Sequence, residues 1–143
     1  MTEVSFHFNA TDRLEHACKV IRKAATSGTR VFVLGERPLL EELDLKLWVI
    51  TSTSFISHHW VDQDPFNPGD ATAVLGEQVQ KLANRPVLLN LTDAVPESLQ
   101  DFSRVIEIVS TAESDRAAAR QRWRNYLALG CPLERHDLAA PRE

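Results

Sequence analysis

The chain has 143 residues, 43% apolar and 25% charged, with a formal net charge of -4: enough chain for a real hydrophobic core and an ordinary globular composition. It has no run of about 18 apolar residues to span a membrane, and its opening MTEVSFHFNATDR lacks the basic and apolar regions of a secretory signal, so a cytoplasmic protein is expected. The acidic balance argues against binding nucleic acid over the whole surface, since that affinity comes from neutralising phosphates.

Val4-Ser-Phe6-His-Phe8 alternates apolar and polar residues and reads as a strand. Asp12 and Glu15 have capping-box spacing. Leu14, Ala17, Cys18, Ile21, Ala24 and Ala25 then recur at helical spacing up to Gly28, a suitable terminator. Val31 to Leu34 is a continuous apolar run, as expected for a strand covered on both faces. Strand, helix and strand at this spacing suggest a βαβ unit. Pro38 suits the first turn of a second helix, on which Leu40, Leu43 and Leu47 form an apolar stripe ending at Trp48. A turn-rich stretch runs from Ser52 to Gly69. Ala71 to Leu75 is a candidate short strand, and Val79 to Asn84 is ambiguous. Val87 to Asn90 is a strand. Pro96 to Phe102 reads as a short helix or loop. Arg104 to Val109 is taken as the last strand, and Ser110 and Glu113 as the cap of a final helix reaching about Leu129. The tail beyond Leu138 reads as frayed. Cys18 reads as core and Cys131 as partly exposed, and no disulfide is expected between them in a reducing compartment. The pattern implies one α/β domain over residues 1–143, with a mostly parallel sheet flanked by helices.

Catalytic motifs are missing. The first strand leads into Asn-Ala-Thr-Asp, not a glycine-rich turn, and neither common phosphate-binding glycine motif occurs. The expected fold is therefore Rossmann-like without a nucleotide site, and no cofactor or metal is expected. His58 and His59 are adjacent, so on an extended segment they point to opposite faces and do not readily share a metal. They remain the only handle for an alternative reading, a small enzyme of nucleotide-binding type using His58 or His59. Trp48 and Phe55 suit either an interface or a cover for the sheet edge.

The final helix carries Arg116, Arg120, Arg122, Trp123, Arg124 and Tyr126 with no acidic residue among them. At about 100° per residue, Arg116, Arg120, Trp123, Arg124 and Leu127 share one side, and Arg122 falls about 160° from Arg120. Guanidinium groups beside an aromatic ring suit an anionic partner with an apolar part. The same residues also fit an ordinary amphipathic helix with solvated arginines, or direct binding of nucleic acid through the helix. On the first of these readings Arg122 is a neutral control for Arg120.

Several segments, taken in order, resemble the chi subunit of bacterial DNA polymerase III. They are Leu43-Asp44-x-x-Leu47-Trp48, Ser54-Phe55-Ile56-x-His58, Pro86-Val87-Leu88-Leu89, Arg104 to Val109, and Arg116-x-x-x-Arg120-x-Arg122-Trp123-Arg124-x-Tyr126-x-x-x-Gly130. The resemblance implies a replisome adaptor without catalysis. It implies that the adaptor binds the acidic C-terminal tail of single-stranded DNA-binding protein (SSB), which ends in Ile-Pro-Phe. It further implies binding to the psi subunit of the clamp loader where psi exists, and in some members to an iron–sulfur helicase. Carried over by position, the SSB-tail site falls on Val109, Arg116, Arg120, Trp123 and Arg124. Arg120 would meet the terminal carboxylate, Val109 and Trp123 the terminal Phe, and Arg116 and Arg124 the upstream aspartates. The psi or helicase surface falls on Trp48, Phe55, Ile56 and His58. Ser57 stands where the family often has proline, and Trp123 where it often has tyrosine.

Overall fold

A computed structural model describes residues 2–50, 56–60, 72–78, 86–96 and 99–139, with the side chains of Ile50 and His59 excepted. In chain order the elements are β1 (Glu3–Ala10), α1 (Arg13–Ser27), β2 (Val31–Leu34), α2 (Arg37–Ile50), β3 (His58–Trp60), β4 (Ala73–Gly76), β5 (Val87–Asn90), β6 (Arg104–Ser110), α3 (Glu113–Ala128) and β7 (Leu133–Asp137). The strands make one sheet in the order β3-β4-β2-β5-β6-β1-β7, and its pairs are parallel. The α/β expectation holds. β1 and β2 are not neighbours, however, because β5 and β6 lie between them.

The period-two alternation of the central strands builds two cores. Val31, Val33, Leu89, Ile106 and Ile108 face α1 and α2, where they meet Leu14, Cys18, Ile21, Leu40, Leu43 and Leu47. Phe32, Leu34, Leu88, Val105 and Val109 face the other way, with Val4, Phe6, Ala119 and Tyr126. Burying each large aliphatic side chain contributes about 1.5–3 kcal/mol, so these stripes dominate the stability of the layers.

Local signals account for the start and end of α1. The Asp12 carboxylate accepts from the backbone N–H groups of Leu14 and Glu15, both at 3.1 Å. Gly28 takes φ of 75°, which costs a glycine little. Asn9, at φ 64°, marks an irregularity in the β1–β6 register.

Three expectations are corrected, while Leu99–Asp101, within a stretch read as a short helix or loop, forms a 3-10 turn. Ser110 does not cap α3. The cap position is Ala112, which makes no side-chain bond, while Asp115 accepts from the Ser110 backbone N–H at 2.7 Å. Cys131 is buried, packed beneath α3 rather than partly exposed. β6 is not the last strand, since β7 pairs with β1 beyond it. Val79 to Asn84 and most of the Ser52 to Gly69 stretch lie outside the described residues.

Candidate functional site

α3 crosses from β6 over β1 to β7, and it is amphipathic in an unusual sense. Its inner face presents Ala119, Arg122 and Tyr126, all buried. Its outer face presents Arg116, Arg120 and Arg124, all exposed and one turn apart. Like charges at this spacing cost a helix about 0.2–0.5 kcal/mol per pair. The acidic residues of the first turn are Glu113 and Asp115, and the last turn has no basic residue. The arginines are thus not arranged to complement the helix dipole.

Trp123 stands at the boundary between these faces. It is half-buried, packs on the α3-side core and meets the Phe6 ring edge-on at 5.2 Å. One side of the indole is therefore fixed by the core while the arginines flank the helix surface beside it. Val109 belongs to the same apolar cluster but is buried, at 3% exposure. It supports the surface from below. Arg120 pairs with Glu113 at 2.8 Å, and both side chains are more than half exposed. The hydrogen bond and charge of Arg120 hold the Glu113 carboxyl below the usual range, and Arg116 adds to that field. Arg124 donates to Gln121 Oε1 at 3.3 Å.

Arg122 overturns the expectation of a neutral surface control. Its side chain is 2% exposed, and its Nε donates to Glu107 Oε1 at 3.0 Å. The other Glu107 oxygen accepts from the Tyr126 hydroxyl and from Asn90 Nδ2. Burial raises the Glu107 pKa, while the Arg122 charge and the three donors oppose that rise. Burial, together with the Glu107 charge, also pushes the Tyr126 hydroxyl up. Arg122 Nη1 and Nη2 are buried without an acceptor. A signal for this network existed in the sequence: a glutamate in the apolar run Val105 to Val109, on the face that meets α3, requires a buried donor.

The second expected surface divides. Trp48 is 54% exposed, and beside it Leu45 is 67% and Val49 76% exposed. The last two escaped the sequence reading. Their signal was an apolar set at Leu45, Trp48 and Val49, offset from the buried Leu40, Leu43 and Leu47 stripe, which leaves α2 apolar on two sides. Ile56 and His58 are buried instead. His58 Nε2 lies 2.7 Å from Asp44 Oδ1, its Nδ1 lies 3.1 Å from Ile56 O, and its ring lies 5.0 Å from the Trp48 ring. His58 thus backs Trp48 and has both ring nitrogens engaged, an arrangement that counts against a catalytic role. Phe55 and the His59 side chain lie outside the described residues.

The carboxyl ends of β5 and β6, where open α/β sheets commonly bind ligands, are crossed by Arg13. It donates to Ile108 O at 3.2 Å and Leu91 O at 3.3 Å and lies 3.7 Å from Asp115. Among the described residues, no helix is long and apolar enough to cross a membrane.

The family model for "DNA polymerase III chi subunit, HolC" matches residues 1–134. The chain belongs to the DNA polymerase III chi family. The chi subunit of Pseudomonas aeruginosa is 33% identical, with 96% of this chain and 98% of that protein covered. The chi subunit of Escherichia coli is 25% identical, with 81% and 79% covered. Among solved structures, the C-terminal domain of S. cerevisiae Dbp5, bound to Gle1 and IP6, superposes with a TM-score of 0.63 at 9% identity. That match covers 98% of this chain and 92% of the other. It is a likeness of fold alone. Family membership makes this chain an accessory component of the replicative polymerase, which fits a non-catalytic role.

Proposed function

We propose that the outer face of α3 binds the acidic C-terminal tail of SSB and so links SSB-coated DNA to the polymerase holoenzyme. The observation that carries this reading is the row of exposed Arg116, Arg120 and Arg124 beside the half-buried Trp123. The Arg120–Glu113 pair supports it, because that guanidinium already holds a carboxylate at 2.8 Å. In this reading Arg120 takes the terminal carboxylate of the tail and the Trp123 ring, floored by Val109, takes the terminal Phe. Arg116 and Arg124 meet the upstream aspartates. The test is calorimetric titration with a peptide ending in Asp-Ile-Pro-Phe, beside the same peptide lacking the final Phe. Binding of the first and loss of the second is expected, and equal binding of both would reject the apolar pocket.

A second contact, with the psi subunit or an iron–sulfur helicase, is assigned to α2. The exposed Leu45, Trp48 and Val49 favour it, because large apolar side chains grouped on one helix face suit a protein partner. His58 and Ile56 act there by fixing Trp48 and the local backbone, and Phe55 is retained from the family pattern.

A further inference from the structure

Arg135 belongs to β7, outside the residues so far assigned to the tail site, yet it stands on the same face of the sheet. It is the register partner of Phe6 in the parallel β1–β7 pair, so both side chains leave one face. Phe6 lies in the core beneath α3, which puts Arg135 on the α3 side. Arg135 is exposed, and its guanidinium carbon lies over the Phe8 ring, 5.1 Å from the centroid. Phe8 is half-buried and packs on the same core as Trp123 and Val109. Phe8 and Val109 both follow the regular β1–β6 pair His7↔Ile108, so they are neighbours on adjacent strands. Among the described residues, no ion pair engages Arg135. The flanks of α3 point the same way. Trp123 leans on Phe6 of β1, whereas Arg122 meets Glu107 of β6. At about 100° per residue, Arg116 and Arg120 lie about 20° and 60° from Trp123, on the side away from Arg122. They therefore overhang the β1–β7 side, with Phe8 below and Arg135 beyond it.

We propose, granted the SSB-tail function, that Arg135 is a second guanidinium of that site and joins Arg120 on the terminal carboxylate of the bound peptide. The terminal Phe ring settles over Val109 beside Trp123, and Phe8 extends that apolar floor toward β7. A C-terminal residue carries its carboxylate on the same carbon as its side chain. The carboxylate therefore stays at the rim of the pocket that holds the ring, and Arg135 occupies the β7 rim. A guanidinium over an aromatic face still donates through the N–H groups at its edge. The ring also holds the side chain in place before the peptide arrives, which lowers the ordering cost of binding. Asp137 follows on the same face of β7 and is the nearby acid that opposes an incoming carboxylate. Its Oδ1 is already engaged, accepting from Asn9 Nδ2 at 2.8 Å and from the Ala139 N–H at 3.0 Å. The tail site is then a cleft with α3 as one wall and β7 as the other.

The test titrates the full-length protein with the peptide ending in Asp-Ile-Pro-Phe, as the free acid and as the C-terminal amide. Arg135→Ala should weaken the free acid about three- to tenfold, between the worth of an exposed ion pair and that of a charge-assisted hydrogen bond. Arg135→Lys should recover part of the loss. The amide binds more weakly, and Arg135→Ala should weaken it by less than about twofold further. A merely structural role, in covering Phe8, would weaken both peptides alike. Lys19→Ala removes one charge from the exposed side of α1 and should leave both titrations unchanged. Weakened free-acid binding in Arg120→Ala beside wild-type binding in Arg135→Ala overturns the role of Arg135 and leaves a tail site built on α3 alone. Equal losses for acid and amide overturn it as well. If the wild-type protein binds neither peptide, the tail function falls and the role of Arg135 falls with it.

Discussion

The two faces of α3 use the same residue type for opposite ends. Arg122 on the inner face is buried against Glu107, Tyr126 and Asn90, whereas Arg116, Arg120 and Arg124 on the outer face are exposed. An inner guanidinium answers a buried carboxylate, and its loss is a folding event. An outer guanidinium stands in water, where an exposed ion pair is worth little to the fold. On the proposed reading its loss is a binding event. Counting arginines on this helix would merge the two.

The largest expected effect tests the inner side. Arg122→Ala strands the Glu107 charge in the core, and breaking a buried pair this way costs about 3–5 kcal/mol. Urea unfolding should show it. Arg122→Met combined with Glu107→Leu should recover only part of the loss, since it removes the buried charge pair but leaves the Tyr126 hydroxyl and Asn90 Nδ2 without the carboxylate to which they donate. A single variant of wild-type stability would put Arg122 back on the surface.

On the outer side, Arg120→Ala should weaken the SSB tail peptide roughly 10- to 150-fold, the worth of a charge-assisted guanidinium–carboxylate bond. Arg120→Lys should recover only part, because an ammonium cannot make the paired contact. Urea unfolding of Arg120→Ala should match the wild type. If Arg120→Ala instead destabilises the protein as Arg122→Ala does, the contrast between the faces collapses.

Trp48→Ala extends the comparison to a second helix. It should abolish capture of psi or of the helicase in a pull-down while leaving tail affinity within about twofold, as expected of distant sites. A parallel loss of tail binding would join the two surfaces into one.

The smallest effect sharpens the outer face most. Glu113 occupies the Arg120 guanidinium at 2.8 Å and so competes with any incoming carboxylate. Glu113→Gln should tighten the tail about two- to fivefold in the same titration. Weaker binding would mean that Glu113 positions Arg120 rather than blocking it.

The sequence spoke most clearly where apolar residues repeat with a regular period. α1, β2 and α2 could be read from Cys18, Val31 to Leu34 and Leu40 because burial there follows 3.6- or 2-residue spacing. β7 could not, since Leu133-Glu-Arg-His-Asp137 is an edge strand, mostly exposed, and has no apolar alternation to show. Its pairing is set by the backbone of β1. The row of outer arginines was visible from helical spacing alone. The role of Arg122 was not, because a cation on a buried face defies the polar-outside rule until its distant partner is known. Glu107 lies fifteen residues away along the chain, on a strand whose orientation only the assembled sheet reveals. Ile56 and His58 misled for the converse reason: a motif in sequence does not say which of its side chains turns inward.

The placement of α3 as the crossover from β6 to β7 has a mechanical consequence. Both strands flank β1, in register from Glu3↔Arg104 on one side and from Val4↔Leu133 on the other. At its start the helix is also fastened through Asp115 to the Ser110 backbone and toward Arg13. A line hung from the outer face of α3 therefore pulls on both hydrogen-bonded ladders of β1 together. The load is divided between the β1–β6 and β1–β7 ladders, so the edge strand β7 does not carry it alone.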